Sequence, residues 1–144
     1  MLSGNIKKLE LLKRSYPQVK KHAIKIGELT YKNLFDSHPE IQKLFINTPS
    51  GQAQRLMDAI LLYCVEADNY NLFYDKLDNI AHVHISSGIK NEYYSFMKEA
   101  FINALHSVLK EEATNDLVHA WAYGFDSLSN ELIHVENLVR KYKS

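Results

Sequence analysis

The sequence has almost no cysteine. Cys64 stands alone among 144 residues, which excludes an internal disulfide and a zinc site built from thiolates. Cys64 itself lies in an apolar run, residues 59–65, where a small core residue is expected rather than a nucleophile. Glycine and proline are scarce too, at five and three residues, so the chain has few of the punctuators that break regular structure. An excess of either charge is also missing. Lys and Arg together number 17, as do Asp and Glu, and the pI is about 7.1. A basic footprint for nucleic acid or an anionic membrane is therefore absent. No apolar run approaches the ~20 residues of a spanning helix, and the first ten residues lack the apolar core of a signal peptide. A soluble, cytoplasmic protein with no membrane partner is the expectation.

What is present is a period of 3.6 residues, recurring almost throughout, and 46% hydrophobic residues, enough to fill one core. The expected class is all-α, with one domain over residues 1–144. The first helix reads as residues 5–16. Pro17 suits the opening of the next, since its φ is fixed and a first helical residue needs no N–H; that helix runs to about Phe35. Ser37-His38-Pro39-Glu40 turns the chain into a short helix ending near Phe45, and Asn47-Thr48-Pro49-Ser50-Gly51 breaks the periodicity. Helices then follow over 52–67, 71–87, 91–110 and 115–143. Gly88 is placed to stop the second of these in a left-handed conformation, and Thr114 or Asn115 to cap the last. No repeat, low-complexity run or linker interrupts them.

A polar residue on a stripe that must be buried costs free energy unless it is partnered. Such residues are where chemistry is to be sought. On helix 71–87 the stripe is Phe73, Leu77, Ile80 and Ala81, and His84 continues it. His82 sits about 200° around the helix from His84 and should face solvent. An inward histidine is either a hydrogen-bonded core residue or a ligand. On helix 115–143 the line Leu117, Trp121, Phe125, Leu128 and Leu132 reaches Glu136 and Val139. Glu136 is thus a buried carboxylate or part of a frayed, solvated end. Tyr94 shares a face with Met97, Phe101, Ala104, Leu105 and Val108, and a buried phenol needs a partner. In the second helix Ile24, Gly27, Tyr31, Leu34 and Phe35 share a face. A mid-helix glycine costs roughly 1 kcal/mol against alanine unless something packs closely on it, so Gly27 marks a tight crossing beside Tyr31. Gln52 opens the stripe Gln52, Leu56, Ala59, Ile60 and Tyr63, with a solvated first turn as the other reading. A metal or cofactor site would explain all five polar positions.

The same residues fall into an ordered set: Leu29-Thr30-Tyr31 with Leu34-Phe35; His38-Pro39-Glu40-Ile41-Gln42-Lys43-Leu44-Phe45; Ile80-Ala81-His82-Val83-His84 with Gly88-Ile89-Lys90 and Tyr94; and Ala120-Trp121 with Glu136. No single motif is specific, but the order and spacing are. Over nearly its whole length the chain resembles the single-domain bacterial haemoglobins and the globin domain of flavohaemoglobins. The resemblance implies a globin fold of six to eight helices around a haem pocket, with haem b iron held by His84.

By the same resemblance, Phe45 packs on the haem face, Tyr31 donates a hydrogen bond to O₂, Gln52 lies beside it, and Leu56 covers the ligand site. Tyr94 and Glu136 match the pair that hydrogen-bonds around the axial histidine. A carboxylate accepting the Nδ1–H gives an imidazole anionic character and favours oxygen activation over reversible carriage. The implied ligands are O₂, NO and CO, the implied activity is nitric oxide dioxygenase chemistry, and the implied state is a monomer or weak homodimer. Non-catalytic O₂ binding, storage, delivery or sensing is the alternative. Two departures matter. The segment between Phe45 and Gln52 is short for the family, which leaves Gln54 as a rival to Gln52. The sequence also ends at Ser144 without flavin and nicotinamide domains, so an external electron donor or reductase is expected.

Overall fold

The computed structural model describes the backbone of residues 2–48, 50–66 and 70–143, and the side chains of 6–48, 50–63 and 75–142. The expectations for Cys64 and Phe73 lie outside the described side chains. Among the described residues there are seven α-helices and no strand: α1 (Leu2–Lys21), α2 (Ala23–Ser37), α3 (Pro39–Gln42), α4 (Gln52–Glu66), α5 (Tyr70–Ser87), α6 (Tyr93–Leu109) and α7 (Asn115–Lys143). Short 3₁₀ turns follow α3 and α6.

One boundary differs from expectation. Pro17 lies inside α1 and does not open the next helix, and the break comes at His22. The reason is tertiary. Leu12, Ser15 and Val19 are buried on both sides of the proline, while Lys13 and Pro17 are exposed. The carbonyl of Lys13, which loses its donor to the proline ring, thus belongs to the solvent side of the helix, where water can satisfy it. Ser15 anchors the inner side. Its hydroxyl donates to the Leu11 carbonyl at 2.6 Å and accepts the indole N–H of Trp121 at 2.9 Å, with both residues buried. That bond fixes α7 against α1.

The other signals hold locally. His38 ends α2, donating its N–H to Leu34, and Pro39 opens α3. Thr114 caps α7, its hydroxyl accepting the Leu117 N–H at 3.2 Å. Gly88 has φ +79°, as a left-handed stop after α5 requires.

Helix α2 lies against α4 and α6, and α7 runs along α1, α5 and α6. The crossing of α2 and α4 is as close as Gly27 foretold: a Cβ there would stand 2.7 Å from the Ala53 carbonyl oxygen and 3.0 Å from Met57 Cγ. The buried face of α2 is Ala23, Ile26, Gly27, Thr30 and Leu34. Ile24, expected on it, is 45% exposed, because the face turns about Ile26 and Thr30 and leaves position 24 on its outer edge. Phe101, Leu105, Trp121, Met57 and Leu77 fill the middle of the core. They carry α5, α6 and α7 to one place.

Candidate functional site

Three helices each deliver one polar side chain to a common point. His84 comes from the last turn of α5, Tyr94 from the first turn of α6, and Glu136 from late in α7. His84 Nδ1 lies 2.8 Å from the Tyr94 hydroxyl and 3.2 Å from Glu136 Oε2. The Tyr94 hydroxyl in turn donates to the same Glu136 oxygen. Glu136 is fully buried, and the His84 side chain keeps 27% exposure. The frayed-end reading of Glu136 is excluded by that burial, and α7 continues to Lys143.

The donors and acceptors settle the imidazole tautomer. A carboxylate only accepts, so the single phenolic proton of Tyr94 is spent on Glu136, and toward His84 the hydroxyl can only accept. Nδ1 must therefore carry the proton. In the neutral imidazole the lone pair is then on Nε2, the atom a metal would take. Burial, the hydrogen bond to Glu136 and the charge of Glu136 together push the Tyr94 hydroxyl far above the ordinary phenol range, with Arg140 opposing. Tyr94 therefore stays neutral and keeps its proton. One feature is unbalanced: Glu136 Oε1 is buried with no hydrogen-bond partner.

A second cluster is built from rings. Tyr31 on α2 meets Phe45 edge-on at 5.5 Å and Phe35 at 5.7 Å, and Phe35 meets Phe45 at 5.3 Å. These rings pack around Leu34, Ile41 and Ala100. Burial pushes the Tyr31 hydroxyl up to about 12, with Arg55 opposing. Among the described residues no side chain hydrogen-bonds that hydroxyl. Gln52 and Leu56 are half-buried on one side of α4, and Leu56 packs on the main core. Gln54 is exposed and bonded to Asp58 at 2.7 Å, so it is Gln52 that turns inward.

The structure thus joins His84, Tyr94 and Glu136 by hydrogen bonds, and Tyr31 and Phe45 by ring contact. No hydrogen bond links Gln52 to Tyr31 among the described residues. His82 turns outward as expected, beside Asp78 at 3.5 Å. Two arginines went unnoticed in the sequence: Arg140, one turn beyond Glu136, and Arg55, three residues beyond Gln52. Their i, i+4 and i, i+3 spacings were the available signal. A separate crevice of about 210 Å³ between α2 and α6, lined by Asn33, His38, Phe96 and Glu99 among others, includes none of the expected site residues. Among the described residues no helix is long and apolar enough to cross a membrane.

Comparison with known proteins bears on this arrangement. A family model described as Globin matches residues 28–132. The flavohemoprotein of Chromobacterium violaceum is 31% identical over 130 residues, 88% of this chain and 32% of that protein. A globin-like protein of Aquifex aeolicus with no described role is 27% identical, over 89% of this chain and 91% of that one. The chain spans about a third of the length of the flavohemoproteins it matches. Among solved structures, an engineered carbene transferase from Rhodothermus marinus, provisionally described as a nitric oxide dioxygenase, superposes with TM-score 0.87. It is 27% identical and covers 94% of this chain and 95% of that one. A bacterial globin from Campylobacter jejuni superposes with TM-score 0.83 at 20% identity, covering 93% and 97%. That second likeness speaks for the fold alone.

Proposed function

The chain belongs to the globin family, and on that premise we propose that residues 1–144 form one cytoplasmic domain that binds haem b and O₂ and converts nitric oxide to nitrate. The overall reaction is NO + O₂ + e⁻ → NO₃⁻, so each turnover needs one electron from an external reductase. The observation that carries this reading is the hydrogen-bonded set His84–Tyr94–Glu136.

The residues fit the group. His84 presents Nε2 with its lone pair free, and Phe45, Leu56, Ile80 and Met97 remain apolar and half-buried around the two clusters. Haem, once bound, supplies an iron that takes O₂, NO or CO and undergoes the redox change. Glu136 and Tyr94 hold Nδ1–H, which locks the ring orientation and lends the imidazole anionic character, a lever toward oxygen activation. Tyr31 offers its hydroxyl proton to O₂ in the pocket. Its raised pKa keeps that proton in place at neutral pH, and Gln52 adds an amide beside it. Phe45 and Leu56 exclude water, which strengthens every hydrogen bond made there.

The test is an optical spectrum of the reduced protein with and without CO, followed by NO consumption by the oxygenated protein supplied with a cellular reductase. A Soret band lost in His84→Ala and repeated turnover are expected. Stoichiometric consumption alone would leave an O₂-binding, storage, delivery or sensing protein without catalysis. No Soret band with haem in excess would remove the haem reading altogether.

A further inference from the structure

We propose that Gly88 is a positioning residue for His84, fixing the imidazole through the way α5 ends. In a continuing helix the His84 carbonyl would accept the N–H four residues on. Here it accepts from Ile89, five residues on, at 2.9 Å, while the Ile85 carbonyl accepts from Gly88 at 3.2 Å. This pair of bonds is the Schellman terminus, and it requires the residue after the helix to be left-handed. Gly88 meets that requirement at φ +79°, and a Cβ built on it would have nothing within 4 Å. Space is therefore not what calls for glycine there. The backbone angle is.

That angle bears on the site because of what lies at each end of the connector. Residues 88–92 lead straight from α5 to α6, where the Tyr93 N–H donates to Lys90 at 3.0 Å and the Tyr94 N–H to Asn91 at 3.2 Å. Four backbone hydrogen bonds thus thread the segment between the imidazole and the phenol that stands 2.8 Å from it. Glu136 arrives on a different helix and cannot follow a displaced ring. A residue that refuses the left-handed angle frees the carbonyls of His84 and Ile85, unwinds the last turn of α5, and turns the imidazole off its two partners. Loss of such an outer hydrogen bond weakens metal attachment by ten- to a hundredfold in general. The consequence for haem rests on the axial role proposed for His84; the coupling of Gly88 to the imidazole does not.

The experiment compares Gly88→Val, whose branched side chain resists positive φ, with Gly88→Asn, which tolerates it. The haem-free full-length chain is read by the ¹⁵N and ¹H resonances of the His84 ring. The haem-loaded chain is read by the iron–histidine stretching frequency and the rate of haem loss. Gly88→Val is expected to lose the hydrogen-bonded Nδ1–H resonance, lower the stretching frequency, and speed haem loss on the order of tenfold, with Gly88→Asn restoring all three. If Gly88→Val does not fold, Gly88→Ala carries the same comparison at smaller amplitude. A valine variant that melts earlier yet keeps the wild-type ring resonances and frequency overturns the proposal, leaving Gly88 a helix stop and nothing more. If the ring resonances shift but His84→Ala binds haem as wild type does, the haem reading fails while the positioning role stands.

Discussion

The two halves of the candidate site are built on opposite principles. Around His84, three polar groups from three helices satisfy one another, and the ring, the phenol and the carboxylate have little freedom left. Around Tyr31, rings pack edge to face and the hydroxyl makes no hydrogen bond to another described side chain. One half is hydrogen-bonded before any ligand arrives, with only Glu136 Oε1 left over. The other holds a donor in reserve. On the proposed function the contrast suits a division of labour in which one side would hold the metal ligand and the other would exchange small molecules. A pre-paired network raises the basicity of its histidine continuously, whereas an unspent hydroxyl gains its partner only when a ligand is present.

The strongest way to break this comparison is Glu136→Leu. It removes the acceptor of the Tyr94 hydroxyl, at about 1–3 kcal/mol for the phenol left without one, and one of the two acceptors of His84 Nδ1–H, which keeps the Tyr94 oxygen at 2.8 Å. The loss is partly offset because a buried carboxylate and its unpaired Oε1 also disappear. A loss of about 2 kcal/mol in urea unfolding at pH 7 is expected. Glu136→Gln keeps an oxygen for both bonds and should cost about 1 kcal/mol or less, yet lower the iron–histidine stretching frequency because the negative charge is gone. Equal stability losses in the two variants would mean that hydrogen bonding does not hold the His84 cluster together. Gly27→Ala probes the frame of the other half. Its new methyl would face the Ala53 carbonyl at 2.7 Å, and backbone yields less readily than a side-chain tip. Overpacking of about 1–3 kcal/mol should exceed the ~1 kcal/mol gained in helix propensity. A net stabilisation would show that α2 and α4 can part, and with them Tyr31 and Gln52.

The difference between the halves also explains what could be read from the residues alone. His84, Tyr94 and Glu136 were visible because each interrupts an apolar stripe, and a polar interruption in a core demands an explanation. Periodicity showed that they point inward, but not that they meet, since the separations of 10 and 52 residues are closed only by the packing of α5, α6 and α7. Tyr31 and Gln52 were weaker signals: Tyr31 was placed inward only through the face it shares with Gly27, Leu34 and Phe35, and a first-turn amide has an ordinary solvated reading. The error at Pro17 had the same root. A local rule placed a helix start there, and burial of Leu12, Ser15 and Val19 against α7 overrode it. The partnership of Ser15 with Trp121 spans 106 residues and has no local trace.

The smallest effect on neutral stability, and the sharpest view of the reserve donor, comes from Tyr31→Phe. Because the hydroxyl has no hydrogen bond to lose among the described residues, unfolding at pH 7 should change by about 0.5 kcal/mol or less. Alkaline pH separates the variants. Burial raises the Tyr31 pKa from 10.0 to about 12, so the folded state resists ionisation more than the unfolded one. The associated stability is complete below pH 10 and is lost as pH rises from there toward 12. A shift of this size corresponds to about 2 kcal/mol once partial exposure is discounted. Tyr94 is raised as well, but it titrates in both proteins and cancels in their difference. The wild-type chain should therefore fall away from Tyr31→Phe between pH 10 and pH 12, and parallel curves would mean that water reaches the hydroxyl in the folded chain. In the haem-loaded protein the same substitution should speed O₂ release at least several-fold, since on the proposed function the hydroxyl without a side-chain partner in the resting fold is the one that meets the ligand.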